Sequence, residues 1–159
     1  LTLHSITGFK MKYFVVFAAL CAYVLGDTLQ EHSQKVMEEI ITVGAECAEK
    51  LGATPEDIDK LMKEQIPDSR AGLCVVSCAN KKFGLQNADG TVNRGSTLVN
   101  IEKVKDIDND MYKKMSSVWS TCSENTPNDS DECNTGVHLV KCMKEEGAKL
   151  GLNKETMGF

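Results

Sequence analysis

Apolar residues recur along most of this chain three and four apart, the spacing of a helix face, and almost nowhere at the two-residue spacing of a strand. The first apolar run is of another kind. Met11-Lys12 precedes an unbroken stretch from Tyr13 to Leu25, and small Gly26 follows. A stable membrane span needs about 20 apolar residues, so this run is too short for one. A charged start, a short apolar centre and a small residue at the end form a secretory signal peptide over 11–26. Residues 1–10 precede Met11 and are expected to be translated upstream sequence. One domain over 27–159 then remains.

Beyond the leader the punctuation is that of short helices. Thr28 and Glu31 form a capping box, Leu29, Val36, Ile40, Val43 and Cys47 share a face, and Gly52 is a natural stop. Thr54-Pro55-Glu56-Asp57 opens a second helix, with Ile58, Leu61 and Met62 as its apolar side and Pro67 as its end. Asp68 or Ser69 caps a third. From Ala71 to Ala79 it is apolar nearly all round, which predicts a central, buried helix closed by Lys81, Lys82 and Gly84. Asn87 to Gly90 is a turn. A weaker helix is expected from Asn93 to Val104, carried by Leu98, Ile101 and Val104. Asp108 opens a fifth, with Met111, Met115, Val118, Trp119 and Cys122 on one face. After the polar loop 125–130 the last runs from about Asp131 to Gly147, with Cys133, Val137, Val140 and Met143. The fold class is all-α: a compact bundle of about six short helices.

Composition sharpens this picture. Charged residues are 26% and the hydrophobic set 42%, which are globular proportions. Losing residues 1–26 takes away Lys10, Lys12 and Cys21 but no acid, so the formal charge moves from −5 to −7 and six cysteines remain of seven. An acidic surface argues against nucleic acid as a partner. Six cysteines in an exported chain predict three disulfides. Cys74 and Cys78 lie one turn apart on the third helix, and a bond between them would close too small a loop to contribute much. Excluding it leaves twelve pairings.

The intervals between Cys47, Cys74, Cys78, Cys122, Cys133 and Cys142 are 26, 3, 43, 10 and 8 residues. In that order they resemble the six-cysteine insect odorant-binding proteins. The leader, the helical patterning, Ala53-Thr-Pro-Glu-Asp57 and Asp89-Gly90 after the third helix agree over about residues 29–147. The resemblance implies interlocked disulfides Cys47–Cys78, Cys74–Cys133 and Cys122–Cys142 around an apolar cavity. It also implies a non-enzymatic, secreted carrier of small hydrophobic molecules such as odorants or pheromones, working in extracellular fluid such as sensillar lymph. A chemosensory receptor and a weak homodimer are the protein partners that go with it. A non-olfactory carrier of lipid-like ligands, a small secreted enzyme and a structural disulfide module are the alternatives.

Other chemistry finds little support. His32 and His138 are the only neutral-pH bases left, and neither lies in a nucleophile motif. Ser77, on the buried helix, is expected to bond back to a helix carbonyl. Cys74-x3-Cys78 has the spacing of half a zinc site but no second pair. Asp106, Asp108 and Asp110 lack the glycine and glutamate of a calcium loop: Met111 and Ser117 stand there. No cofactor or metal is expected. Asn128-Asp-Ser130 is a glycosylation candidate in a polar loop. The expected pocket walls are Val36, Ile40, Val43, Leu73, Val76, Met111, Met115, Val118, Trp119 and Val140. Of nine aromatics only Phe83, Tyr112, Trp119 and Phe159 survive the leader, so aliphatic alcohols, aldehydes, esters or acids are expected over aromatic ligands. His138 is the expected trigger of any release on acidification.

Overall fold

The structure, a computed structural model, describes residues 28–95 and 99–157; the expected leader and Phe159 lie outside them. Seven helices are described: α1 (Leu29–Leu51), α2 (Pro55–Met62), α3 (Arg70–Lys82), α4 (Val99–Ile107), α5 (Asn109–Asn125), α6 (Glu132–Lys149) and the short α7 (Lys154–Met157). The caps that start them are local. The Thr28 hydroxyl accepts the Glu31 N–H at 3.2 Å while the Glu31 carboxylate accepts the Thr28 N–H at 2.9 Å. Thr54 and Asp57 repeat this reciprocal pairing at α2. Ser69, Asp108 and Asp131 accept first-turn N–H groups of α3, α5 and α6. Each cap satisfies donors that helix geometry leaves without a partner.

Several boundaries differ from the expected ones. The second helix stops at Met62, not Pro67, because the chain turns through Lys63 and a left-handed Glu64. The fourth is described from Val99, and residues 96–98, with Leu98, fall outside the described set. Residues 92–94 are held otherwise. Val92 bridges Gln86, the Asn93 N–H donates to the Leu85 carbonyl at 2.9 Å, and Arg94 reaches the Thr126 carbonyl at 3.2 Å. Helix α3 is central but not fully buried: only Gly72, Val75, Ser77 and Asn80 are, and Leu73 and Val76 are half-buried.

Neighbouring helices pack in a cycle: α1 on α3, α3 on α6, α6 on α5, α5 on α4, and α4 back on α1, with α2 against α3 and α7 against α1. Helix α6 starts across the side of α3. Arg70 and Lys81, about 16 Å apart along α3 at helical rise, pair with the adjacent residues Asp131 and Glu132. At the crossing Gly136 faces α3 so closely that a Cβ there would lie 3.0 Å from the Ser77 Cα. Ser77 is buried, and its hydroxyl has no hydrogen-bond partner among the described residues, against the expected bond to a helix carbonyl. Beside it, the Asn80 side chain donates to the Gln86 side chain and the Gly136 carbonyl, both at 3.2 Å, and Gln86 donates to the carbonyls of Gly90 (2.7 Å) and Glu132 (3.1 Å). These bonds satisfy the polar groups that the loop 86–92 buries.

Three disulfides are present: Cys47–Cys78 joins α1 to α3, Cys74–Cys133 joins α3 to α6, and Cys122–Cys142 joins α5 to α6. Most buried apolar side chains form two clusters, each built on a disulfide, with Val104, Met111 and Cys133 outside both. One gathers Cys47, Ala48 and Val75 with Val43, Ala53, Ile58, Leu61 and Cys78. The other gathers Val92, Val118, Cys122 and Leu139 with Leu85, Trp119, Cys142, Met143 and Leu152. The Cys74–Cys133 bond ties α3, which serves the first cluster, to α6, which serves the second.

Candidate functional site

On α5 the residues Met111, Met115, Val118 and Trp119 fall at i, i+4, i+7 and i+8 and form one stripe. Met111 and Val118 are buried; Met115 and Trp119 are half-buried. Tyr112, at one edge of this stripe, donates to Glu102 of α4 at 3.0 Å. Cys122, toward the other edge, bonds to α6. The stripe therefore faces inward between α4 and α6.

Helix α1 behaves differently. Ser33, Ile40 and Cys47 are seven residues apart and hence on nearly the same face. Ser33 and Cys47 are 6% and 0% exposed, yet Ile40 between them is 43% exposed. Val36 and Val43, a turn to either side, are half-buried. The inward face of α1 is thus shut at both ends and open to solvent in the middle. The same interval recurs on α6: Cys133 is 2% exposed, Gly147 is buried, and Val140 between them is 39% exposed. Both stripes thus carry an exposed aliphatic position between buried ends.

The expected pocket residues do not form one cluster. Val43 packs with the first core, and Val118 and Trp119 belong to the second. Val36, Leu73, Val76, Met111 and Met115 stand outside both, as do exposed Ile40 and Val140. His138 is exposed on α6, whereas His32 is buried in the first turn of α1. Asn128 is exposed, and its side-chain oxygen accepts the Val92 N–H at 2.9 Å. Two features of these faces escaped the residue pattern. Leu152, which follows a turn at Gly151, packs into the second cluster. Gly44 lies half-buried in mid-α1, where its only signal was a glycine inside a helical pattern.

Among the described residues no three His, Cys, Asp or Glu side chains gather as a metal-holding group, and no helix is long and apolar enough to cross a membrane.

Comparisons with known proteins agree with this architecture. General odorant-binding protein 99b of Drosophila melanogaster is 24% identical over 147 residues, covering 88% of this chain and 95% of the relative. General odorant-binding protein 19d of the same species is 23% identical over 125 residues, covering 78% and 82%. The solved structure of the Drosophila melanogaster odorant-binding protein dmelOBP28a superposes with a TM-score of 0.62 at 22% identity, covering 76% of this chain and 99% of that one. At that identity the likeness is one of fold. The PBP/GOBP family model matches residues 29–146, most of the chain. With its helical cycle, its three disulfides and this match, the chain belongs to the PBP/GOBP family, the insect odorant-binding proteins.

Proposed function

We propose that this protein is a secreted carrier that takes up one small hydrophobic molecule, an odorant, pheromone or similar aliphatic compound, and moves it through aqueous fluid. The observation that carries the reading is the open middle of α1: Ile40 exposed between buried Ser33 and Cys47 on one face. The walls we assign are Val36, Ile40 and Val43 on α1, Leu73 and Val76 on α3, Met111, Met115, Val118 and Trp119 on α5, and Val140 on α6. The mechanism is partition. Each CH₂ that leaves water contributes up to about 0.8 kcal/mol, and no bond is made or broken. Methionines at 111 and 115 adapt to ligands of different outline. The disulfides hold α1, α3, α5 and α6 in place, so the space persists when empty.

Replacing Ile40 with Asp tests the reading. A carboxylate in an apolar space is costly, so the variant is expected to lose at least about 10-fold in affinity for an apolar fluorescent probe. Its melting temperature should hardly change, because the wild-type side chain is already half in water. Unaltered probe binding would place Ile40 on an ordinary outer surface.

A further inference from the structure

We propose that Gly44 sets the length of ligand that the space beside α1 accepts; this rests on the carrier reading above. Glycine is a poor choice inside a 23-residue helix, and a helical glycine usually has a visible reason. Gly72 and Gly136 have one: a Cβ on Gly72 would meet the Pro67 Cβ at 2.4 Å, and one on Gly136 would meet the Gln86 side chain at 2.7 Å. Gly44 has neither of the usual reasons. Among the described residues nothing lies within 4 Å of a Cβ built there, and its backbone is helical rather than left-handed.

Its surroundings supply a different reason. Gly44 is four residues from Ile40, the exposed centre of the inward face, and three and four from Cys47 and Ala48, where that face closes. It therefore sits where the open middle of α1 meets its shut end. A side chain there would project into the space and shorten it. The glycine gives up helix stability and leaves room for the far end of a chain-like ligand.

The test displaces N-phenyl-1-naphthylamine from full-length, oxidised protein with straight-chain alcohols of six to sixteen carbons. Wild type, Gly44→Ala and Gly44→Phe are compared, each with its melting temperature. Alanine is the better helix former, so Gly44→Ala should melt about 3 °C higher. It should nevertheless bind the longest alcohols about 4-fold more weakly, the equivalent of one methylene, and the shortest unchanged. Gly44→Phe should move the optimum to shorter chains and weaken the longest by more than about 10-fold. If wild type binds and both variants keep its chain-length profile, Gly44 does not border the ligand and the proposal falls. If Gly44→Phe fails to fold, Gly44→Ala decides alone, since a purely structural glycine would not move stability and long-chain affinity in opposite directions. If wild type binds neither probe nor alcohol, the carrier reading itself falls and takes this proposal with it.

Discussion

Asp57 shows what one residue contributes here. Its carboxylate is buried where α2 begins, and it accepts the Thr54 N–H at 2.9 Å and the Thr54 hydroxyl at 2.8 Å, with Ser69 at the start of α3 as a further partner. These bonds, the Thr54 N–H foremost, hold its pKa below the ordinary aspartate value near 3.8. A carboxyl whose folded pKa is depressed adds stability in full above its unfolded value and loses it as pH falls through the folded one. Asp57→Asn should therefore be less stable than wild type in urea at pH 7. The gap should narrow at pH 3 and below; a gap that stays constant would show that the charge contributes nothing. The capping role of Asp57 was legible, because Thr54-Pro55-Glu56-Asp57 is a helix start by local rules alone. Its bond to Ser69, twelve residues on, was not. The same holds for Gly90. Asp89-Gly90 reads as a turn, but only the fold shows that a Cβ there would strike the Glu132 Cβ at 2.3 Å.

Among the elements, the helices that begin with their own caps had legible starts, whereas the end of the second, expected at Pro67, lies at Met62. The fourth was not, because the 3-residue spacing of Leu98, Ile101 and Val104 says nothing about where the preceding backbone goes. The Asn93 N–H pairs with the Leu85 carbonyl and the Val92 N–H with the Asn128 side chain instead, and periodicity carries no record of partners distant in sequence. The disulfides illustrate the same limit. Residue spacing left twelve pairings open, and the interlocked one came from family resemblance rather than from geometry. In the structure the bonds Cys74–Cys133, Cys47–Cys78 and Cys122–Cys142 span 59, 31 and 20 residues. Chain-entropy reasoning puts their contributions at about 4, 4 and 3 kcal/mol. Paired Cys→Ala variants measured by urea unfolding should follow that order, with Cys74–Cys133 the most costly to lose, since it also ties the helices of one core cluster to those of the other. A larger loss from Cys122–Cys142 would show that local packing outweighs loop closure.

At the scale of the whole molecule, five helices pack in a cycle and most of the buried apolar residues fall into two clusters instead of one. That split is why the site was only partly legible. Patterning picked an apolar face on each helix, including the α5 stripe, although Ile40, Met62 and Val140 on those faces are exposed. It could not tell which inward residues touch a neighbour and which face open space, because both kinds look alike in sequence. Ile40 and Cys47 occupy the same stripe of α1 and have opposite surroundings. Only one ring system, that of Trp119, belongs to the assigned walls. The proposed ligand space would therefore be lined mainly by aliphatic side chains and methionine sulfur, which grip a flexible chain along its length and offer an aromatic plate little to stack on.

Competitive displacement of N-phenyl-1-naphthylamine from the oxidised protein, by matched aliphatic and aromatic ligands, tests the central claim most directly. The account predicts saturable binding of one probe per chain, displaced at micromolar concentrations by long-chain alcohols, aldehydes, esters or acids and about 10-fold less well by aromatic compounds of equal size. A chain that binds no probe saturably, or that prefers the aromatic set, would contradict it.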